Sequence, residues 1–222
     1  MDRKADCWYK KVCNYDSCIN CIRYSEMKYL IENSGLPKNR QKPQELVAGC
    51  DYKEFTRLNN LKNEILDFVE TGDSLYICSK ATGNGKTSWA IKMLLKYFDC
   101  IWAGNGFRVR GYFIHVPSLL TTLKDFSHPH NDIKHILDTV DLVVWDDIAA
   151  TKLSEYDISQ LLTLIDTRIV NGQSNIYTGN LVTMDTLENC VGTRLASRIW
   201  NTSLVVEFKG KDRRYDRDGS PS

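Results

Sequence analysis

The sequence predicts an α/β fold in which one parallel sheet of five strands is covered by helices on both faces. Three observations predict it. Five short apolar runs recur along the chain, "SLYICS", "GYFIHV", "DLVVWDD", "SNIYTGN" and "SLVVEF". They are continuous rather than alternating, as in strands buried on both faces. The segments between them carry helical apolar spacing, so each return to the sheet crosses over through a helix. The chain has 222 residues and 42% hydrophobic content, enough for one ordinary core with a small appendage.

The elements follow in order. "RYSEMKYLIEN" reads as one short helix, and "NSGLPKNRQKPQEL", with two prolines and several charges, reads as a linker. In "EFTRLNNLKNEILDFVE" apolar residues at Phe55, Leu58, Leu61, Ile65 and Phe68 fall at helical spacing and predict one helix. "SLYICS" is the first strand and "GKTSWAIKMLLKYF" the helix after it. "IWAGNGFRVRG" is a loop. "GYFIHV" leads into "PSLLTTLKDF", a helix with Pro117 in its first turn. "NDIKHILDTV" is a short helix with Asn131 as its cap, and "DLVVWDD" is the third strand. "SEYDISQLLTLIDTRIVNG" predicts a long helix capped by Ser154 and stopped by Gly172. "SNIYTGN" is a strand. "DTLENCVGTRLASRIWN" is helical with a break near Gly192, and "SLVVEF" closes the sheet. Residues 1–50 form a Cys-rich module and linker, 51–214 the main domain, and 215–222 a polar tail.

Charge excludes some partners. The net charge is +1, so nucleic acid must be met by local patches rather than by the molecule as a whole. No apolar run reaches the roughly 18 residues of a membrane span, and "MDRKADCWYKKVC" has no secretory h-region. A cytoplasmic protein with no membrane partner is expected. Cys50, Cys78, Cys100 and Cys190 are scattered and read as reduced thiols, two of them in apolar stretches as small buried hydrophobes.

Chemistry concentrates in "SKATGNGKTS". A phosphate loop works because glycines let backbone N–H groups turn toward anionic oxygens at the start of a helix. Gly83, Asn84, Gly85, Lys86, Thr87 and Ser88 supply those parts between a strand and a helix. The lysine would meet the β- and γ-phosphates, and the Thr87 hydroxyl would bind magnesium. The usual pattern has a further glycine six residues before the lysine, where this chain has Lys80. A left-handed backbone there would cost lysine roughly 1–2 kcal/mol. The expectation is that Lys80 points away from the phosphates.

A second set follows. "LVVWDD" ends an apolar strand in Asp146, which would hold magnesium directly or through water, and Asp147, which would orient and deprotonate the attacking water. Asn180, at the tip of "SNIYTGN", would reach the γ-phosphate and that water. Arg194 and Arg198 lie four apart on one helix face, where a guanidinium could stabilise charge on the γ-phosphate of a neighbouring subunit.

In this order the phosphate loop, "LVVWDD", "YTGN" and "GTRLASRIWNTSLVVEFKGKDRR" resemble the AAA+ ATPase domain of DnaC/DnaI-type replicative helicase loaders, of phage or bacterial origin. The resemblance covers roughly Phe55 to Arg214. It implies a sheet of order 5-1-4-3-2 without a full C-terminal lid. It implies an ATPase of weak intrinsic activity, using ATP and Mg2+, that forms a homo-oligomer on ATP binding. Its partners would be a hexameric replicative helicase and the single-stranded DNA onto which the helicase is placed during DNA replication. Arg198 becomes the arginine finger acting in trans, and Arg194 a second candidate nearer its own nucleotide. IstB-type transposition helper ATPases share the pattern. A nucleotide-binding adaptor with little hydrolysis is the other alternative, because the AAA+ carboxylate is usually Glu and here is Asp147.

The front of the chain holds Cys7, Cys13, Cys18 and Cys21, with five, four and two residues between successive members. The final C-x2-C is a metal knuckle, and four thiolates would close a structural zinc site. An iron–sulfur cluster is the alternative, and Cys50 a spare ligand. A segment this small needs such a staple to fold alone. DnaI-type loaders have a zinc-binding N-terminal domain, which suggests a helicase-contact role here. Trp8, Tyr9, Lys10, Lys11, Arg23 and Tyr24 would either cover that small core or stack on single-stranded DNA. "FRVRG" and "KGKDRR" would either touch DNA phosphates or be solvated. His128, His130 and His135 read as solvated, and Trp89 and Trp145 as core.

Overall fold

The computed structural model of the chain describes residues 7, 9, 13, 20–42, 46, 48–124 and 131–210. Five strands form one parallel sheet: β1 (Ser74–Cys78), β2 (Gly111–His115), β3 (Leu142–Asp146), β4 (Ser174–Gly179) and β5 (Ser203–Glu207). Their order is β2-β3-β4-β1-β5, which read from the β5 edge is 5-1-4-3-2. Burial follows position in the sheet. The central strands β1, β3 and β4 are buried throughout, whereas the edges β2 and β5 are partly open.

Alternate residues of each strand face opposite helical layers. Leu75, Ile77, Val144 and Ile176 face α1 (Ile22–Glu32), α2 (Tyr52–Asn63), α3 (Ile65–Glu70) and α4 (Lys86–Ile101). Tyr76, Cys78, Trp145 and Tyr177 face α5 (Val116–Lys124), α6 (Asn131–Thr139), α7 (Glu155–Val170), α8 (Met184–Val191) and α9 (Thr193–Asn201). Trp89 and Trp145 are both in the core, as expected. Cys78 is buried too, and burial pushes its thiol up to about 12, so it stays neutral.

Local chemistry sets several boundaries. Ser154 and Asp157 form a reciprocal capping box at the start of α7. Gly192, at φ 77°, separates α8 from α9. The helix expected across Phe55–Phe68 is two helices, because Glu64 leaves the helical region at φ −100°, ψ 27°.

The described apolar residues of the N-terminal region pack into the main core. Met27, Leu30 and Ile31 of α1, and Leu36 after it, belong to the same apolar cluster as α2 and α4. The backbone N–H of Phe113 in β2 donates to Ser34 O at 2.7 Å. The segment read as a linker is therefore partly built into the body. Tyr9 and Arg23 extend this attachment to Asp99 on α4. Tyr9 donates its hydroxyl to Asp99, and the Arg23 guanidinium pairs with that carboxylate at 2.6 Å while lying 3.4 Å from the Tyr9 ring centroid.

The end of the sheet where β3 and β4 begin is held by Arg168 of α7, which is fully buried. Its guanidinium donates to the carbonyls of Leu137, Val140, Asp141 and Ser174 and to Asn175 Oδ1. Burial lowers its pKa to about 10, which leaves it charged at neutral pH. The opposite end of the sheet, where β1, β3 and β4 finish, carries the candidate site.

Candidate nucleotide site

The site starts at the turn from β1 into α4. Gly83 (φ 66°) and Gly85 (φ 100°) put the loop in conformations that side-chain-bearing residues rarely adopt. Gly85 is the residue before α4, and no side chain caps that helix. Its opening turn is thus built to face an anion. Asn84 is completely buried and donates to Ser79 Oγ beneath the loop, and at 3.4 Å to the carbonyl of Gly210. Lys86 is also buried, and its ammonium donates to Ala81 O at 2.9 Å. Lys80 is exposed. Among the described residues the only non-glycines at positive φ are Phe107 and Asp147, so lysine at position 80 carries no left-handed cost.

The second half sits across the sheet. Asp146 ends β3 almost fully buried. Thr87 of α4 donates to Asp146 Oδ1 at 2.7 Å, and Thr178 of β4 donates to the same oxygen at 2.7 Å. Burial pushes the Asp146 carboxyl above the ordinary carboxylate range. The two hydroxyls act against that, Asp147 adds to it, and His115 acts against it. His115 ends β2 in register with Asp146. Asp147 follows at φ 63°. Its backbone N–H donates to Thr178 Oγ1 at 3.0 Å, and the next N–H, of Ile148, donates to Thr178 O at 2.9 Å. Thr178 therefore holds both the carboxylate and the turn that carries Asp147.

Sequence reasoning missed Thr178 and His115. The signal for Thr178 lay in strand pairing. Trp145 is opposite Tyr177, so the next residues outward are Asp146 and Thr178. Asn180 lies just past the end of β4, half-buried, at the same edge of the sheet. Ser88 is half-buried in the first turn of α4.

The remaining candidates fall elsewhere. Arg194 and Arg198 are exposed on α9, and Arg198 Nε lies 2.6 Å from Asp166 Oδ1 on α7. Cys18, His128, His130 and the stretch 211–214 lie outside the described residues. Cys21 caps α1, its sulfur accepting from the Tyr24 N–H at 3.4 Å. Among the described residues no three Cys, His, Asp or Glu side chains gather as a metal set. The zinc expectation therefore finds no cluster there. No helix among them is long and apolar enough to cross a membrane.

A hydroxyl and a carboxylate sharing one contact are a hard oxygen pair that suits Mg2+. They stand beside an ammonium on a glycine-turned helix start, an arrangement whose chemistry suits a phosphate-bearing ligand. Solved structures place the fold. A crystal structure of the DnaC helicase loader matches with a TM-score of 0.56 at 20% identity, over 68% of this chain and 89% of that one. A putative primosome component from Streptococcus pyogenes serotype M3 matches with a TM-score of 0.61 at 18% identity, over 84% and 98%. The replication initiator DnaA bound to AMPPCP and single-stranded DNA matches with a TM-score of 0.54 at 15% identity, over 83% of this chain and 50% of that one. No family model and no curated protein matches the sequence. The chain has an α/β fold with five parallel strands that resembles AAA+ P-loop ATPase domains, and its structure is similar to those of a helicase loader and a replication initiator.

Proposed function

We infer that this protein is an ATP-dependent helicase loader, which binds a hexameric replicative helicase and helps place it on single-stranded DNA. The observation that carries the ATPase reading is the shared Asp146 oxygen, held by Thr87 from the phosphate-loop helix and by Thr178 from the next strand. Gly83 to Ser88 would cradle the triphosphate. Lys86 would exchange its bond to Ala81 O for phosphate oxygens. Thr87 and Asp146 would hold Mg2+, which neutralises phosphate charge when bound. Asp147, fixed by Thr178, would take the proton of the attacking water, and Asn180 would orient that water. Arg198 would complete the site of a neighbouring subunit, with Arg194 nearer its own nucleotide.

The loader assignment rests on the ordered motifs and on the fold's likeness to the DnaC structure. The AMPPCP in the DnaA structure supports ATP as the ligand. Cys7, Cys13, Cys18 and Cys21 remain a proposed zinc set at the N-terminus, and an acid-release assay yielding no stoichiometric zinc would remove it. Co-purification with the host's replicative helicase tests the main reading. Helicase should be recovered with ATP and lost with Lys86→Ala. Recovery of a transposase and no helicase would overturn the loader in favour of a transposition helper. Indistinguishable phosphate release from wild type and Lys86→Ala, with helicase still bound, would leave a non-hydrolysing adaptor.

A further inference from the structure

The chain leaves β1 without the glycine that usually opens a phosphate loop. Lys80 stands in that place, and its backbone keeps out of the left-handed region. Ser79, only 1% exposed, shapes the turn instead. Its N–H still follows the sheet, donating to Gly179 O at 3.2 Å. Its hydroxyl oxygen accepts the N–H of Ala81 at 3.1 Å, two residues on, which closes a serine turn around Lys80. The same oxygen accepts Nδ2 of Asn84 at 2.5 Å from across the loop. Asn84 is completely buried and uses both ends of its amide. Nδ2 also donates to Gly210 O at 3.4 Å, and Oδ1 accepts the Lys86 ammonium at 3.4 Å. That ammonium bonds in turn to Ala81 O at 2.9 Å. Ala81 is therefore held at both backbone groups, its N–H by Ser79 and its carbonyl by Lys86.

We propose that Ser79 and Asn84 are positioning residues for phosphate binding, a side-chain clasp that sets the course of the loop in place of the absent glycine and keeps the Lys86 ammonium against it. This rests on the reading of the loop as an ATP site and deepens it. A loop ordered beforehand has less freedom to lose when it closes on a ligand, so the clasp strengthens binding. It serves ground state and transition state alike, and its loss should fall on Kd and KM more than on kcat.

The test is calorimetric titration of the full chain with ATP and Mg2+, paired with phosphate release. Ser79→Ala should weaken ATP binding about tenfold, equivalent to about 1.4 kcal/mol. KM should rise in step, and kcat should change by less than about threefold. Asn84→Ala should lose at least as much affinity. The double variant should lose less than the two single losses combined, because both remove one shared bond. Ser174→Ala is the structural control. It deletes another buried hydroxyl, bonded to Phe68 O where β4 begins, and should lower Tm while Kd stays within about twofold. No ATP binding by the wild type, or binding unchanged in Lys86→Ala, would overturn the ATP-site reading and this proposal with it. With wild-type binding intact and Lys86→Ala weakened, three results would overturn the clasp alone. They are an unchanged Kd in Ser79→Ala, single losses that combine in full in the double variant, or a Ser174→Ala variant that binds ATP as weakly as Ser79→Ala.

Discussion

Replacing Thr178 by valine removes one hydroxyl and keeps the shape of the side chain. Thr178 is 1% exposed, so the isosteric valine fills the same buried space without the hydroxyl. Two bonds disappear, the 2.7 Å donation to Asp146 Oδ1 and the 3.0 Å acceptance from the Asp147 N–H. A hydrogen bond to a charged group contributes roughly 1.5–3 kcal/mol, and an orphaned N–H costs at least about 1 kcal/mol even where water can approach. The sum is about 2.5–4 kcal/mol, which for a chain of this length lowers Tm by roughly 5–15 °C. The functional effect is separable. Asp146 loses one of the two hydroxyls that oppose its raised pKa. More of it is then protonated at a given pH, and Mg2+ binding weakens. The acid limb of the kcat profile should therefore move to higher pH. If half of the lost energy is lost from the positioning of Asp147, kcat falls about 10-fold, at roughly 1.4 kcal/mol per decade. KM for ATP should stay within about twofold, since the phosphate-loop contacts are untouched. Phosphate release measured against ATP and against Mg2+ reads all three, with Thr178→Ser as the control that retains the hydroxyl. A valine variant with wild-type kcat and Mg2+ dependence, or a serine variant as damaged as valine, would refute the reasoning.

Three further outcomes follow from the same geometry. Asp146 has a raised folded pKa, so its ionised form opposes folding above that pKa, and the penalty vanishes below the unfolded value near 3.8. Asp146→Asn should thus raise Tm at neutral pH, keep both hydroxyl contacts through its amide oxygen, and abolish Mg2+-dependent hydrolysis; a lower Tm contradicts this. Lys80→Gly, which restores the usual loop residue, should not increase turnover. It should cost about 0.5–1 kcal/mol of stability, read as a shift in the urea midpoint, because position 80 does not use positive φ. Arg168→Met should cost at least ~3 kcal/mol by leaving buried carbonyls without donors, and equilibrium unfolding that shows less than half of that loss would contradict the role assigned to it.

What the sequence made legible is what a single residue type must do. Gly83 and Gly85 announce the loop because positive φ strongly favours glycine. The five strands announce themselves because residues buried on both faces must all be apolar. Thr178 announces nothing, since threonine is an ordinary strand residue and its role exists only through its hydroxyl's bond to Asp146. The break at Glu64 was equally silent, because the apolar spacing of Leu61, Ile65 and Phe68 runs straight through it and no Gly or Pro marks it. The prolines and charges after Asn33 suggested a free linker, yet Leu36 is only 5% exposed and the Ser34 carbonyl bonds to β2. Composition reports local preference, whereas burial is decided by what the rest of the chain leaves uncovered. Cys21 shows the same division, for a knuckle-like spacing also places a sulfur where it caps a helix.

The segment after β5 shows how the loop is held from below. Asp51 is completely buried, and its carboxylate accepts the N–H of Lys209 at 2.7 Å and that of Gly210 at 3.1 Å. The carbonyl of Gly210 in turn accepts from Asn84, whose amide also reaches Ser79. Asp51 at the start of α2, Gly210 after the last strand and Asn84 in the phosphate loop are therefore one hydrogen-bonded unit. A buried carboxylate is costly to keep unless fully bonded, so Asp51 fixes the course of residues 208–210 rather than merely tolerating them. Phe208, Lys209 and Gly210, within the family-like ending, thus lead to the loop that holds "GNGKTS". Two motifs far apart in sequence are thus joined at the candidate nucleotide site, and the fully buried Asn84 is the residue through which they meet.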